Sequence, residues 1–227
     1  MTEMGTLLNL MFRAFSDEPF HTLRMVFGAS LGTQVKGGTC SDKTLLFIDE
    51  AKKYGLKARL WTAYIGGKEI HRLASVEIDG RQHFADVGNG WPSIKPYPAD
   101  TPIRFQAYGM TFRTVLHPDR LSVYHKKEDY EYHQMDIMLA ERPEEDIRSE
   151  VGARFTSGTV YPFDNRLRFS AIVERDFKFL RDSTLYIYSD DGLKHTIPVF
   201  KDSLEETILQ HFGVSINLSN CGVDLNG

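Results

Sequence analysis

Lys36-Gly37-Gly38-Thr39-Cys40-Ser41-Asp42 runs straight into a segment in which Leu45, Ile48 and Ala51 recur at helical spacing, Leu46 and Phe47 widen the stripe, and Gly55 stands where a helix ends. The spacing predicts a helix over 41–54 with Cys40 at its N-terminus. Backbone N–H groups and the positive end of the helix dipole favour thiolate over thiol at such a place, which is how a nucleophile is prepared. Gly37 and Gly38 let the backbone turn sharply and let a substrate approach with no Cβ in the way. Taken alone, Cys40 also fits a small buried hydrophobe, so partners must come from elsewhere in the chain.

They come from the next segment. After Lys57 the period changes from helical to alternating: Ala58 to Tyr64 reads as a strand, Gly66-Gly67 as a turn, Ile70 to Ile78 as a second strand, Asp79-Gly80 as a hairpin turn and Gln82 to Val87 as the return strand. A two-residue type I′ turn at Asp79-Gly80 pairs Ile78 with Arg81. Leu73 then faces Asp86, and His71 lies on the same sheet face as Asp86, a diagonal neighbour about 7–8 Å away. His83 points to the other face, and a slip of one residue would exchange the two histidines. A thiolate nucleophile needs a histidine as base and acid, and that histidine needs an acceptor to fix its tautomer. Asp86 alone would also suit a cap on the Gly88-Asn89-Gly90 turn; in the order thiol, histidine, acid, the set Cys40, His71 and Asp86 reads as a catalytic triad.

The rest of the chain is mostly β. Met4 to Phe15 reads as a helix stopped at Asp17-Glu18-Pro19, and Pro19 to Leu23 as a turn into the core. Pro92, Pro96, Pro98 and Pro102 mark a long loop. Phe112 to Leu116, Leu121 to Tyr124, Tyr130 to Met138 and Arg166 to Glu174 read as strands of a curved sheet or partial barrel, and Glu144 to Phe155 as a short helix with a solvated face. A hairpin follows over Ser183 to Phe200, turning at Asp190-Asp191-Gly192, and Ser203-Leu204-Glu205-Glu206 reads as a capping box opening a helix to Phe212.

Composition narrows the functional classes. With 227 residues, 41% hydrophobic and 26% charged, the chain can bury a sizeable core, and a net charge of −4 gives no basic excess for a nucleic-acid partner. The two cysteines, Cys40 and Cys221, make no disulfide framework, and a reactive thiol suits a reducing compartment, so a cytoplasmic protein is expected. Met1 to Phe15 lacks the basic region and cleavage site of a signal peptide, and no apolar run approaches the roughly 20 residues of a membrane span. His21, His117, His125, His133 and His195 show no metal spacing, so no metal is expected.

Lys36-Gly37-Gly38-Thr39-Cys40 and Asp86-Val87-Gly88-Asn89-Gly90 resemble the motifs Arg-Gly-Gly-x-Cys and Asp-Val-Gly-Phe-Gly of the arylamine N-acetyltransferase family. The spacing from His71 to Asp86 is similar, and Pro19-Phe20-His21-Thr22-Leu23 resembles the family's Pro-Phe-Glu-Asn-Leu. Asn165-Arg166-Leu167 and His211-Phe212-Gly213-Val214 extend the likeness to the C-terminal part. The resemblance implies an α+β, cysteine-protease-like fold: a helical part carrying the nucleophile over 1–56, a β-barrel carrying histidine and aspartate over 57–160, and an α/β lid over 161–227. It implies ping-pong chemistry without a resident cofactor. Acetyl-CoA or another acyl-CoA, or an acyl carrier protein, would acylate Cys40, and the acyl group would pass to an amine such as an arylamine, hydrazine or hydroxylamine. Gly38, Thr39, Gly88, Asn89, Gly90 and Trp91 would line the substrate site.

Several residues depart from the family pattern. Lys36 replaces arginine, Ser41-Asp42-Lys43-Thr44 replaces aromatic-Glu-x-Asn, and Asn89 replaces a phenylalanine that helps line the acceptor pocket. A polar Asn89 beside Trp91 points away from a simple arylamine. Two other readings share the pattern: a transglutaminase-like or peptidase-like thiol enzyme acting on amides, and a catalytically silent binding module. Lys36, Lys43 and Arg72 are candidates to meet CoA phosphates, and Tyr124, Tyr130, Tyr132 and Tyr161 are read as core packing rather than pocket.

Overall fold

The computed structural model of the chain describes residues 2–28, 35–156, 158, 161 and 166–218. Asn165 and Cys221 lie outside the described residues. The elements in chain order are α1 (Glu3–Ser16), β1 (Phe20–His21), α2 (Leu23–Phe27), α3 (Cys40–Lys53), β2 (Lys57–Ile65), β3 (Lys68–Ile78), β4 (Arg81–Ala85), β5 (Tyr97–Pro98), β6 (Arg104–Ala107), β7 (Met110–Leu116), β8 (Arg120–Lys127), β9 (Tyr130–Met138), α4 (Glu144–Ala153), β10 (Arg168–Val173), β11 (Asp176–Arg181), β12 (Thr184–Ser189), β13 (Gly192–Pro198) and α5 (Leu204–Phe212).

Two antiparallel sheets and their helices make a mixed α+β fold. The larger sheet has eight strands in the order β5-β4-β3-β2-β9-β8-β7-β6, and the smaller has five in the order β1-β10-β11-β12-β13. The larger sheet curls until its edges approach: the rings of Tyr97 on β5 and Phe105 on β6 lie 6.4 Å apart, although the two strands are not paired. It is thus a half-barrel rather than a closed barrel. Strand β1, from the helical N-terminal part, pairs with β10 and forms the edge of the C-terminal sheet.

Alternation along the strands divides the side chains between two cores. Trp61, Ala63, Leu73 and Phe84 face the inside of the curl, where Phe177, Phe179 and Tyr188 of the smaller sheet fill it. Ala58, Leu60, Ala74, Val76, Ile78 and Ala85 face outward under α1, α3 and α4. Helix α1 forms because Thr2 caps it, its hydroxyl accepting from Gly5 N–H at 3.1 Å, and because Leu7, Leu10, Met11, Ala14 and Phe15 make one buried face. A third core, around Phe169, Leu180, Ile208 and Phe212, lies between the smaller sheet, α2 and α5.

Two local expectations are corrected. Ser203 forms no capping box: its hydroxyl turns back to Phe200 O at 3.0 Å, and a 3-10 turn over Lys201–Ser203 precedes α5. Strands β6 and β11 are additional; the second turns Phe177 and Phe179 to one core and Leu180 to another. Helix α4 presents Glu145, Asp146 and Glu150 on the exposed face expected of it and docks through the buried Ile147 and Val151, with Glu150 paired to Arg72 at 2.9 Å and Arg142 at 2.7 Å.

Candidate active site

Cys40 is the first residue of α3 and is buried, at 4% exposure. Its approach is fixed by glycine geometry. Gly37 has φ +88°, and a Cβ there would stand 2.1 Å from Pro19 O. Gly38 N–H donates to Pro19 O at 3.1 Å, and His21 N–H donates to Gly38 O at 2.9 Å, so the turn before Cys40 is laced onto the segment that leads into β1.

The four residues after Cys40 that depart from the family pattern include three with a definite task. Asp42 Oδ2 accepts from Thr39 N–H at 3.0 Å and from the Thr39 hydroxyl at 2.8 Å, while its other oxygen pairs with Arg154. Thr44 donates from Oγ1 to Arg72 O at 3.0 Å, which ties α3 to the strand carrying His71. Lys43 is fully buried and donates to the carbonyls of Ala14 and Glu18 at the end of α1. It therefore does not meet a phosphate, and burial pulls its pKa down to about 7, against the opposing pull of Glu18. Arg72 is likewise committed within the protein, to Thr62 Oγ1 at 2.8 Å and to Glu150. Lys36 is exposed.

The Asp79-Gly80 turn sets the register that the sequence requires, Ile78 opposite Arg81 and Ala74 opposite Ala85. His71 and Asp86 consequently share the face of Leu73, and His71 Nε2 donates to Asp86 Oδ1 at 2.7 Å. Both are buried, Asp86 completely. Cys40 Sγ lies 4.0 Å from the carbonyl oxygen of Ile70, the residue before His71, and Asp86 leaves the other ring nitrogen of His71 unused. Burial alone would lower the pKa of His71, but the charge and hydrogen bond of Asp86, with Cys40 adding to them, raise it to about 10. Burial would raise the Cys40 thiol, and the hydrogen bond and charge of His71 overcome this and hold it below the usual thiol range. The electrostatics favour a thiolate–imidazolium pair.

Loop residues 88–91 complete the site. A Cβ on Gly88 would stand 2.6 Å from Cys40 Cα, so only glycine lets this loop lie against the nucleophile. Ser170 of β10 donates to Gly90 O at 2.9 Å and holds the loop from the smaller sheet. Cys40, His71, Gly88, Asn89, Gly90 and Trp91 all border one cavity of about 310 Å³; Gly38 and Thr39 are not among the residues that line it. That volume is at the lower end of the range of roughly 300–1,000 Å³ for small-molecule sites. The far wall comes from β8 and β9, through His125, Tyr132, His133 and Gln134, and from Arg168 and Phe179 of the smaller sheet. Tyr132 is thus a cavity residue, 42% exposed, rather than core, and Tyr130 is 64% exposed. Sequence spacing carried no signal for these walls, because they meet Cys40 only through the curl of the sheet.

Among the described residues no cluster of three or more His, Cys, Asp or Glu side chains could hold a metal ion, and no helix is long and apolar enough to cross a membrane.

A family model described as N-acetyltransferase matches residues 26–221. Curated proteins give no match. Several solved structures share the fold. The arylamine N-acetyltransferase of Mycobacterium marinum in complex with CoA has 19% identity and a TM-score of 0.76 over 93% of this chain and 86% of that one. The enzyme of Salmonella typhimurium has 18% identity and a TM-score of 0.77 over 98% and 88%, and that of Nocardia farcinica 23% and 0.77 over 94% and 84%.

Proposed function

Because the chain belongs to the arylamine N-acetyltransferase family, we propose that it is a thiol acyltransferase that carries an acetyl or other acyl group on Cys40 from a CoA-type thioester to an amine. The observation that carries this reading is the buried His71–Asp86 hydrogen bond of 2.7 Å beside a cysteine at a helix N-terminus.

In the first half-reaction the Cys40 thiolate attacks the thioester carbonyl and a new C–S bond forms. The oxyanion develops next to the first-turn N–H groups of α3, which point out of the helix end and stabilise it. Collapse breaks the bond to the CoA sulfur, which leaves with the proton of the His71 imidazolium. In the second half-reaction the amine attacks the acyl-cysteine, His71 takes its proton, and Cys40 departs as thiolate. Asp86 keeps the His71 ring oriented and stabilises its cationic form throughout. The likeness to a relative described in complex with CoA supports a CoA thioester as donor.

Intact-mass spectrometry after incubation with acetyl-CoA and longer acyl-CoAs tests the reading, with Cys40→Ala alongside. A stoichiometric acyl adduct that disappears in the variant is expected, and it names the donor. A Cys40 that takes iodoacetamide but no acyl group would move the protein to amide chemistry, and a Cys40 inert to both would make it a binding module.

A further inference from the structure

Two polar side chains border the cavity at Cys40 without a task in acyl transfer. Asn89 is 6% exposed, and its Oδ1 accepts from Trp91 N–H at 3.2 Å. A backbone N–H can only donate, so this bond fixes the orientation of the amide and leaves Nδ2 buried with no partner in the protein. His125, on β8 and also 6% exposed, pairs through Nδ1 with Gln134 Oε1 at 3.1 Å. Since the carbonyl oxygen of Gln134 only accepts, Nδ1 carries the proton, and Nε2 keeps a lone pair that is likewise buried without a partner. Burial, and then the charge of Lys127, hold the imidazole at a pKa of about 4, so it is neutral at physiological pH. Buried polar groups are nearly always satisfied in folded proteins, and an exception asks for a cause. Here the residues that carry one donor and one acceptor border the same cavity, whose remaining walls include Trp91, Tyr132 and Phe179. A hydrocarbon in that space would leave both unpaired; an amide offers a carbonyl oxygen to one and an N–H to the other.

We propose that Asn89 and His125 select amide-bearing substrates over apolar amines of the same size, Asn89 Nδ2 donating to a ligand carbonyl and His125 Nε2 accepting from a ligand N–H. The inference rests on Cys40 being the acyl carrier and states which molecules reach it. An amide can enter as part of the acceptor amine or in the pantetheine arm of the acyl donor, and the two half-reactions separate these sources.

Calorimetric titration of the full chain with 4-aminobenzamide and with its apolar analogue 4-isopropylaniline needs no turnover. Binding of the amide at least tenfold tighter is expected. The preference disappears in Asn89→Asp, which keeps an oxygen for Trp91 N–H but loses the donor. It also disappears in His125→Phe, which keeps a ring against Tyr132 but loses the lone pair. If wild type shows no such preference, yet the rate of Cys40 acylation at low acetyl-CoA falls tenfold in both variants, the recognised amide belongs to the donor. Equal binding of the two amines together with unchanged acylation in both variants overturns the proposal. A clear preference in a protein whose Cys40 accepts no acyl group from any thioester upholds the amide site and overturns the acyltransferase reading instead.

Discussion

Gly88 lies against Cys40 so closely that a methyl group on it would stand 2.6 Å from the Cys40 Cα and 2.8 Å from its carbonyl oxygen. The loop that follows Asp86 is thereby pressed onto the helix end that presents the thiol, and the two halves of the site have one relative position. Gly88→Ala must push backbone against backbone, since the atoms it meets belong to the main chain or the first side-chain atom of Cys40. Overpacking of this kind costs roughly 1–3 kcal/mol. Denaturant titration should register that loss, and iodoacetamide labelling of Cys40 should slow at least tenfold. A variant with wild-type labelling would show that the loop can retreat without disturbing the nucleophile.

Asp86 raises the pKa of His71 to about 10, so the imidazolium persists through neutral pH and keeps Cys40 ionised below the ordinary thiol range. Asp86→Asn removes the charge and keeps the shape. The expected outcome is a pH–rate profile for Cys40 alkylation that moves up toward a free thiol, with acyl transfer at pH 7 falling about 10²–10⁴-fold, the usual worth of a positioned acid–base group. An unchanged alkylation profile would mean that the helix end alone ionises the thiol.

The placement of His71 beside Asp86 was legible because it depends on local rules. A two-residue turn at Asp79-Gly80 sets the register, and a period of two then decides faces. The helix behind Cys40 was legible for the same reason, from its stripe and its closing glycine. What lay beyond the sequence depends on distant chain segments meeting. Asp42 finds Arg154, Thr44 finds the carbonyl of Arg72, and His125 and Tyr132 reach the cavity only because the sheet curls. Lys43 is the clearest case. A lysine after a nucleophile looks like a phosphate ligand, yet its long apolar stem lets it run under α1 to the carbonyl of Ala14, which the helix end leaves unsatisfied, and to that of Glu18 just beyond. The long strands of the eight-stranded sheet were legible, and with them a curved sheet or partial barrel, but the short edge strands β5 and β6 were not, since their pairing depends on distant segments that no local pattern encodes.

Thr44 links α3 to β3 through its hydroxyl and the Arg72 carbonyl, one residue from His71. Thr44→Val keeps the branched shape and leaves a buried carbonyl without its donor. The expected loss is about 1–3 kcal/mol of stability. Because the bond also fixes Cys40 against His71, kcat should fall severalfold while KM for the acyl donor stays constant. A stability loss with unchanged kcat would reduce the bond to a structural tie.

Lys43 should make stability depend on pH with a defined sign. Its pKa falls from 10.5 unfolded to about 7 folded, so between these values the unfolded chain binds more protons and stability rises with pH. Lys43→Met keeps Cys40 and His71 in place, so the difference between wild type and variant isolates the Lys43 contribution from theirs. Urea titrations at pH 7.0, 7.8 and 8.6 should show the stability of wild type relative to Lys43→Met rising at each step, whatever the variant's absolute stability. Parallel curves for the two proteins would place the Lys43 ammonium in its charged form throughout, held by the carbonyls of Ala14 and Glu18 against the cost of burial.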